Sequence, residues 1–442
     1  MLRNRKRYLV YGGMFGLMFV SYLDRVNLSV AAGPIAKAYG LDPIAIGYLL
    51  SAYLWTYLVF LIPLGMLVDR WGARRVTAGS MAIWSVGGAL TGVVTGFAAM
   101  LGSRMVLGAG EAAGYPAGSR VIRDWAPRSE RGTAAAWLNG GAYAGPAVGA
   151  ITVGWIVSEF GWRESFLVSG GAGLLIAVLW YALYRTPERA AWLGEQERSV
   201  ILAERDPTPP RTRPSARPLA SLAVLLRSRT MWGLALTQGC AGYTLYLFMS
   251  WLPTYLASSR GLDVLKSAAF TAVPYAAAAV LGLVLGRVTD GLLRSGRLGA
   301  GGRRTIVSAC MLLSSVILLT PFVSATWLIL VLFSISLTCV STAMAMNIAL
   351  TNDLLADGER SGVAVSVLIF GGNSFGVLAP IVTGYAVAAT GGFSVAFAIA
   401  GLLLLVGTTL ILTLTRRPID APATTTRGRT APVATHAVDA GQ

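Results

Sequence analysis

Residues 327–346 and 393–414 pass without one charged side chain. Apolar runs of about 18 or more residues read as membrane helices, because in hydrocarbon a helix bonds all of its own backbone groups. Along the chain this pattern marks twelve segments, near 8–32, 45–68, 76–96, 98–120, 133–157, 163–184, 230–257, 267–292, 304–323, 327–350, 361–388 and 393–415. The expected fold class is an all-α polytopic membrane protein with 12 transmembrane helices. Of the 442 residues 55% are hydrophobic and 13% charged, against about 25% charged in a soluble domain.

A net charge of +16 invites a nucleic-acid reading, and its distribution argues against one. Thirty of the 36 Lys and Arg fall on one side of the segments, at the N-terminus, the even-numbered loops and the tail. Lys37, Arg163, Arg260 and Lys266 fall on the other, and Arg25 and Arg104 lie inside segments. This is the positive-inside pattern, so both termini and the central loop are expected in the cytoplasm of a cell (plasma or inner) membrane protein. Arg3, Arg5, Lys6 and Arg7 lead into the first apolar stretch without an obvious cleavage site, which reads as a retained helix. Cys240, Cys310 and Cys339 sit in apolar segments and form no metal-ligand spacing.

The chain divides into a first six-helix bundle at 1–184, a cytoplasmic linker at 185–229, a second bundle at 230–416 and a disordered cytoplasmic tail at 417–442. The two bundles repeat each other. Gly65-Met-Leu-Val-Asp69 follows the second segment and Gly286-Arg-Val-Thr-Asp290 the eighth, 221 residues later. Asp124 to Arg131 and Asp353 to Arg360 both read Asp-x5-Glu-Arg, 229 residues apart. Two parallel halves around a midplane site are a common plan of secondary transporters.

Four charges interrupt the apolar pattern: Asp24 and Arg25 in the first segment, Arg104 and Glu111 in the fourth. Charges at membrane depth cost at least about 2.5–3.5 kcal/mol each and mark function by default. Two arginines beside two carboxylates suit a site that binds an anion and moves a proton. Tyr22 and Arg25 share a helix face, and Asp24 points about 100° away. Arg104, Gly108, Glu111 and Tyr115 share another face, with Arg104 and Glu111 about 10.5 Å apart along the axis. Burial favours a neutral carboxyl and a nearby arginine favours the ionised one, so moving the arginine would release or capture a proton. The one histidine, His436, lies in the tail.

The basic loops read as cytoplasmic charge networks that latch one conformation rather than touch substrate. They comprise Asp69 with Arg70, Arg74 and Arg75, then Asp124, Glu130 and Arg131, Asp290, and Asp353, Glu359 and Arg360. The fifth-segment run Gly141-Ala-Tyr143-Ala-Gly145-Pro146-Ala-Val-Gly149 favours close helix packing. Asn139, Tyr143, Tyr243, Tyr246, Asn373 and Ser374 are candidate contacts to substrate. Residues 188–205 alternate charges with Trp192, Leu193, Val200 and Ile201, as an amphipathic helix on the membrane surface would. No nucleophile–base pair, metal cluster or phosphate-cradling loop stands out, so neither an enzyme nor a cofactor is expected.

The 65–75 loop resembles the signature of the major facilitator superfamily. Within it the chain resembles the anion:cation symporter family of sugar-acid, tartrate and aromatic-acid permeases. That resemblance rests on Tyr22-Leu-Asp24-Arg25-Val-Asn27-Leu-Ser29, on Arg104 through Glu111 to Pro116, on Trp251-Leu-Pro-Thr-Tyr255-Leu, and on the linker run from Thr186 to Glu197. It covers residues 8–416. It implies two pseudo-symmetric six-helix bundles and proton-coupled symport of an organic anion. By motif match Arg25 would hold the substrate carboxylate, Asp24 and Glu111 would carry protons, Arg104 would tune Glu111, and Asn373 would join the site.

The expected function is therefore import of a small organic anion with protons by alternating access. Sugar acids such as aldonates, glucarate or hexuronates are the favoured cargo, with aromatic or dicarboxylic acids next. The fifth-segment run also resembles a motif of drug/proton antiporters, which keeps a proton-driven exporter as the alternative. The expected partners are the anion, protons and the bilayer, with no nucleic acid; by family resemblance the protein works as a monomer.

Overall fold

The computed structural model describes residues 6–205, 218–295, 301–355 and 361–419. Glu359, Arg360 and nearly all of the 417–442 tail lie outside the described residues. The first half contains α1 (Arg7–Tyr39), α2 (Pro43–Trp71), α3 (Ala73–Val93), α4 (Phe97–Glu111), α5 (Gly114–Trp125), α6 (Arg131–Glu159) and α7 (Trp162–Leu183). Two short helices follow, α8 (Glu195–Glu204) and α9 (Pro218–Arg227). The second half contains α10 (Arg229–Arg260), α11 (Val264–Arg294), α12 (Gly302–Ser314), α13 (Thr326–Leu354), α14 (Ser361–Thr390) and α15 (Ser394–Leu414).

These helices supply the twelve expected spans, with two differences. The fourth span breaks at Ala112–Ala113 into α4 and α5. Pro116 explains the break: it lacks the N–H that would bond Ala112, and its ring crowds that carbonyl. The ninth span finishes as a 3-10 turn, Ser315–Phe322, containing Pro321. Among the described residues nine helices are long and apolar enough to cross a membrane. The remaining spans are α1, the α4–α5 pair and α10, which carry the polar interior side chains described below.

A repeat in the turns escaped the sequence reading. Gly40, in a left-handed conformation (φ 62°), closes α1, and Asp42 caps α2 by accepting from the Ala45 N–H at 2.7 Å. Gly261 (φ 65°) closes α10, and Asp263 caps α11 by accepting from the Lys266 N–H at 2.8 Å. Both turns read Gly-Leu-Asp and lie 221 residues apart, the same offset as Asp69 and Asp290.

The halves meet along α2 with α14, α6 with α11 and α1 with α10. A Cβ on Gly47 would lie 2.6 Å from the Pro380 carbonyl, and one on Gly384 would lie 2.5 Å from that of Pro43. Ser51 donates to the Val377 carbonyl at 2.7 Å and Ser29 to that of Ser250 at 2.6 Å. These contacts lie toward the Gly-Leu-Asp turns, which we call the sealed end. From Thr56 onward α2 turns to its own half: Thr56 donates to the Met105 carbonyl at 2.6 Å, and Gly65 adjoins Pro116. Within the first half, Gly141, Gly145 and Gly149 seat α6 on Phe15, Phe19 and Leu23 of α1.

The charged loops pair differently from the sequence grouping. Asp69 faces Arg120 at 3.5 Å and Arg123 at 3.4 Å, both on α5, rather than the arginines of its own loop. Arg74 instead donates to the Tyr181 carbonyl at 2.8 Å, Arg70 and Arg75 are exposed, and Asp290 is exposed on α11. Asp124 takes Arg120 at 2.9 Å and Arg205 at 2.8 Å. Glu130 takes Arg7 at 2.7 Å, Arg131 begins α6, and Asp353 pairs with Arg303. Spacing along one loop could not reveal these partners, which sit on other helices.

The linker also departs from a surface helix. Glu197 is buried and pairs with Arg7 at 3.1 Å. Trp192 stacks on Trp125 with ring centres 5.3 Å apart, Ile201 is buried, and Lys6 donates to the Trp192 carbonyl at 2.6 Å. Residues 185–205 are therefore docked on the first half, held by ion pairs and an aromatic stack.

Candidate functional site

The helix break fixes the centre of the site. It leaves Glu111 as the last residue of α4, where the negative end of the helix dipole disfavours an anion. Two groups on α1 offset this. Arg25 Nε meets Glu111 Oε2 at 2.9 Å, and Ser21 Oγ donates to Glu111 Oε1 at 3.1 Å. Residues 21 and 25 are one helical turn apart and so reach the same carboxylate. Both ends of the Arg25–Glu111 pair are buried.

Aromatic rings surround the guanidinium. Its carbon lies 4.5 Å from the Tyr22 ring centre, 5.2 Å from Tyr53 and 5.5 Å from Tyr57. Cations over ring faces gain about 0.5–2 kcal/mol, the more so when desolvated. Tyr22 and Tyr115 bring their hydroxyls within 3.3 Å. The second half contributes Tyr246, whose hydroxyl donates to Asn373 Oδ1 at 2.8 Å and lies within electrostatic reach of Arg25, Tyr22, Tyr53 and Tyr57.

Behind this pair sit the other two charges. Arg104 is 1% exposed, and its guanidinium carbon lies 5.7 Å from the Tyr53 ring. Its Nε and Nη1 and both Asp24 carboxylate oxygens have no hydrogen-bond partner among the described residues. Asp24 and Glu111 are the two carboxylates whose field acts on Arg104. Asn27, one turn on from Asp24, bonds Ser169 Oγ at 3.1 Å and so ties α1 to α7.

The remaining sequence candidates lie elsewhere or are engaged. Asn373 Nδ2 donates to the Ile369 carbonyl at 3.0 Å and Ser374 to that of Phe370 at 2.8 Å, each within α14. Asn139 is exposed and bonds the Ala135 carbonyl of its own helix at 3.0 Å. Tyr143 faces Ser341 of α13 across the gap between the halves. Tyr243 is buried beside Thr383 of α14. Sequence reasoning missed Ser21, Tyr53 and Tyr57. The two tyrosines stand four apart in an otherwise apolar α2, a spacing that puts both on one face.

The arrangement offers one guanidinium for a carboxylate, a protein carboxylate already seated on it, and hydroxyls from both halves. The Major Facilitator Superfamily profile matches residues 14–301 and 291–438. A probable galactarate/D-glucarate transporter of Escherichia coli K12 is 32% identical over 413 residues, covering 90% of this chain and 91% of that protein. A probable L-galactonate transporter of the same strain is 31% identical, covering 92% and 89%. A probable sulfoacetate transporter of Cupriavidus necator is 31% identical, covering 92% and 93%. Among solved structures, a bacterial homologue of the human lysosomal transporter Spinster, inward-facing and unoccupied, superposes with a TM-score of 0.73 at 17% identity, covering 93% of this chain and 97% of that one. Motifs, architecture and full-length similarity agree: the chain belongs to the Major Facilitator Superfamily.

Proposed function

We propose that this protein is a proton-coupled symporter that imports sugar acids across a cell membrane, with both termini in the cytoplasm and the halves here parted on the cytoplasmic side. It is a transporter and not an enzyme. The buried Arg25–Glu111 pair carries the reading. A substrate carboxylate needs Arg25, and Glu111 occupies it. Protonating Glu111 weakens its hold, so the guanidinium becomes free for the substrate as the proton binds. Losing that proton on the cytoplasmic side restores the pair and displaces the substrate. One guanidinium contested by two carboxylates thus links the two fluxes, because each ligand shifts the state the other needs.

Arg25 would hold the carboxylate within the ring of Tyr22, Tyr53 and Tyr57. Tyr246, oriented by Asn373, would meet the hydroxylated chain from the other half. Asp24 would be a second proton carrier, and Arg104 would act on both carboxylates without touching substrate. Relatives named for galactarate, D-glucarate and L-galactonate support the sugar-acid assignment.

Uptake of labelled galactarate, D-glucarate, D-galactonate and sulfoacetate into proteoliposomes tests this reading. An acid exterior should drive at least one sugar acid inward, and an uncoupler should abolish the effect. Uptake of every acid indifferent to an imposed pH gradient would overturn proton coupling. Transport of sulfoacetate alone would overturn the sugar-acid assignment and leave the anion site standing.

A further inference from the structure

A second cavity lies at the sealed end, separate from Arg25. It has a volume of about 290 Å³, and its walls include Val30 and Pro34 of α1, Pro253, Thr254 and Ser258 of α10, and Ser267 of α11. Val30 and Pro34 lie five and nine residues beyond Arg25, about 8–14 Å along the helix axis. Between the two sites, Ser29 pins α1 to the Ser250 carbonyl of α10. The cavity therefore straddles the seam, with one wall from the first half and two from the second.

Its chemistry differs from that of the central site. No charged residue lines it. Pro34 has no N–H, so the Val30 carbonyl lacks its helical donor. Thr254 Oγ1 has no hydrogen-bond partner among the described residues. Ser258 donates to the Thr254 carbonyl at 2.8 Å. An apolar chamber with one free hydroxyl and one under-used carbonyl fits a small uncharged molecule with an apolar body and an alcohol or amide head. At 290 Å³ it falls at the lower edge of the usual 300–1,000 Å³ range of ligand pockets.

We propose that this cavity binds a small neutral amphiphile, and that binding holds the two halves together at the sealed end. The walls come from both halves, so they meet only while that end is closed. A ligand touching both loses one wall when the end opens. It therefore stabilises the closed arrangement in proportion to its occupancy and slows the return step of the cycle without competing for Arg25.

The probe is 4-phenylbutan-1-ol, with 4-phenylbutyrate as its anionic counterpart, applied to the purified full-length chain. Thermal unfolding needs no transported substrate, so the result does not depend on the sugar-acid reading. The alcohol should raise the unfolding temperature saturably. Ala257→Phe, which fills the chamber, should abolish the rise, and Thr254→Val should weaken apparent affinity about 5- to 10-fold, the worth of roughly one hydrogen bond. The anion should give no shift that Ala257→Phe removes. In proteoliposomes the alcohol should lower maximal uptake with KM unchanged. A rise that never saturates, or equal rises in the parent and both variants, would assign the effect to detergent or bilayer and overturn the proposal.

Discussion

Glu111 and Arg104 stand seven residues apart on α4, yet Glu111 gives its carboxylate to Arg25 of α1 at 2.9 Å, and Arg104 Nε and Nη1 have no hydrogen-bond partner among the described residues. The rise along a helix explains why. Seven residues span about 10.5 Å, whereas α1 passes within hydrogen-bond distance. The charge that matters to Glu111 is therefore contributed by a different helix, one able to move relative to α4.

Glu111→Gln should abolish uptake driven by a pH gradient and preserve substrate exchange, because the amide stays neutral and no longer contests Arg25. Parallel assays of gradient-driven uptake and counterflow in one preparation measure both. Intact coupling in this variant would place the proton elsewhere, with Asp24 next to be tested.

Arg25→Ala should weaken carboxylate binding about 10- to 150-fold, the range for one or two charge-assisted hydrogen bonds. Arg25→Lys should recover part of this loss, since lysine keeps the charge and loses the planar fork. Calorimetric titration against galactarate gives the ratio. A drug exporter would tolerate both changes.

Gly145→Leu should destabilise the protein rather than alter its selectivity. A Cβ there would already lie 2.6 Å from the Phe19 carbonyl of α1, and overpacking typically costs about 1–3 kcal/mol or more. Lower yield and a lower unfolding temperature are expected, with substrate ranking unchanged in whatever protein folds. A changed ranking would revive the antiporter reading of this run.

Gly47→Trp should prop the sealed end open, because its Cβ would meet the Pro380 carbonyl at 2.6 Å. Spin labels on α2 and α14 near the turns should move apart. Binding should survive while net transport fails. Unchanged label distances would show that the contact tolerates bulk.

The docked linker should loosen in acid. Burial alone would raise the pKa of Glu188, but its own backbone N–H, Thr186 and Arg205 outweigh burial and hold it below the usual glutamate value. A depressed folded-state value means that its attachment contributes above the ordinary glutamate range and fades as pH falls through the lowered value. Proteolysis near residues 185–205 should accelerate there, and Glu188→Gln should remove that pH dependence.

Much of this was legible because membrane spans are written as runs, and a run needs no knowledge of its neighbours. Asp24, Arg25, Arg104 and Glu111 stood out for the same reason. The partners were not legible: Arg25 with Glu111, Asp69 with Arg120, and Glu197 with Arg7 each join separate helices, and helical spacing speaks only for residues on one helix. Tyr53 and Tyr57 were hidden differently, since a tyrosine in an apolar helix also suits plain packing or an interfacial anchor. The break at Ala112 could have been anticipated from Pro116.

The reciprocal contacts of Gly47 with Pro380 and Gly384 with Pro43 have an electrical consequence. A seam made of carbonyls and bare α-carbons carries no net charge. Dissolved salt cannot screen it, and protons have nothing there to neutralise. Brine and fresh water outside the cell would leave these contacts equally strong, so the voltage-like sensitivity of the cycle resides in its middle and its inner rim, not in its outer door.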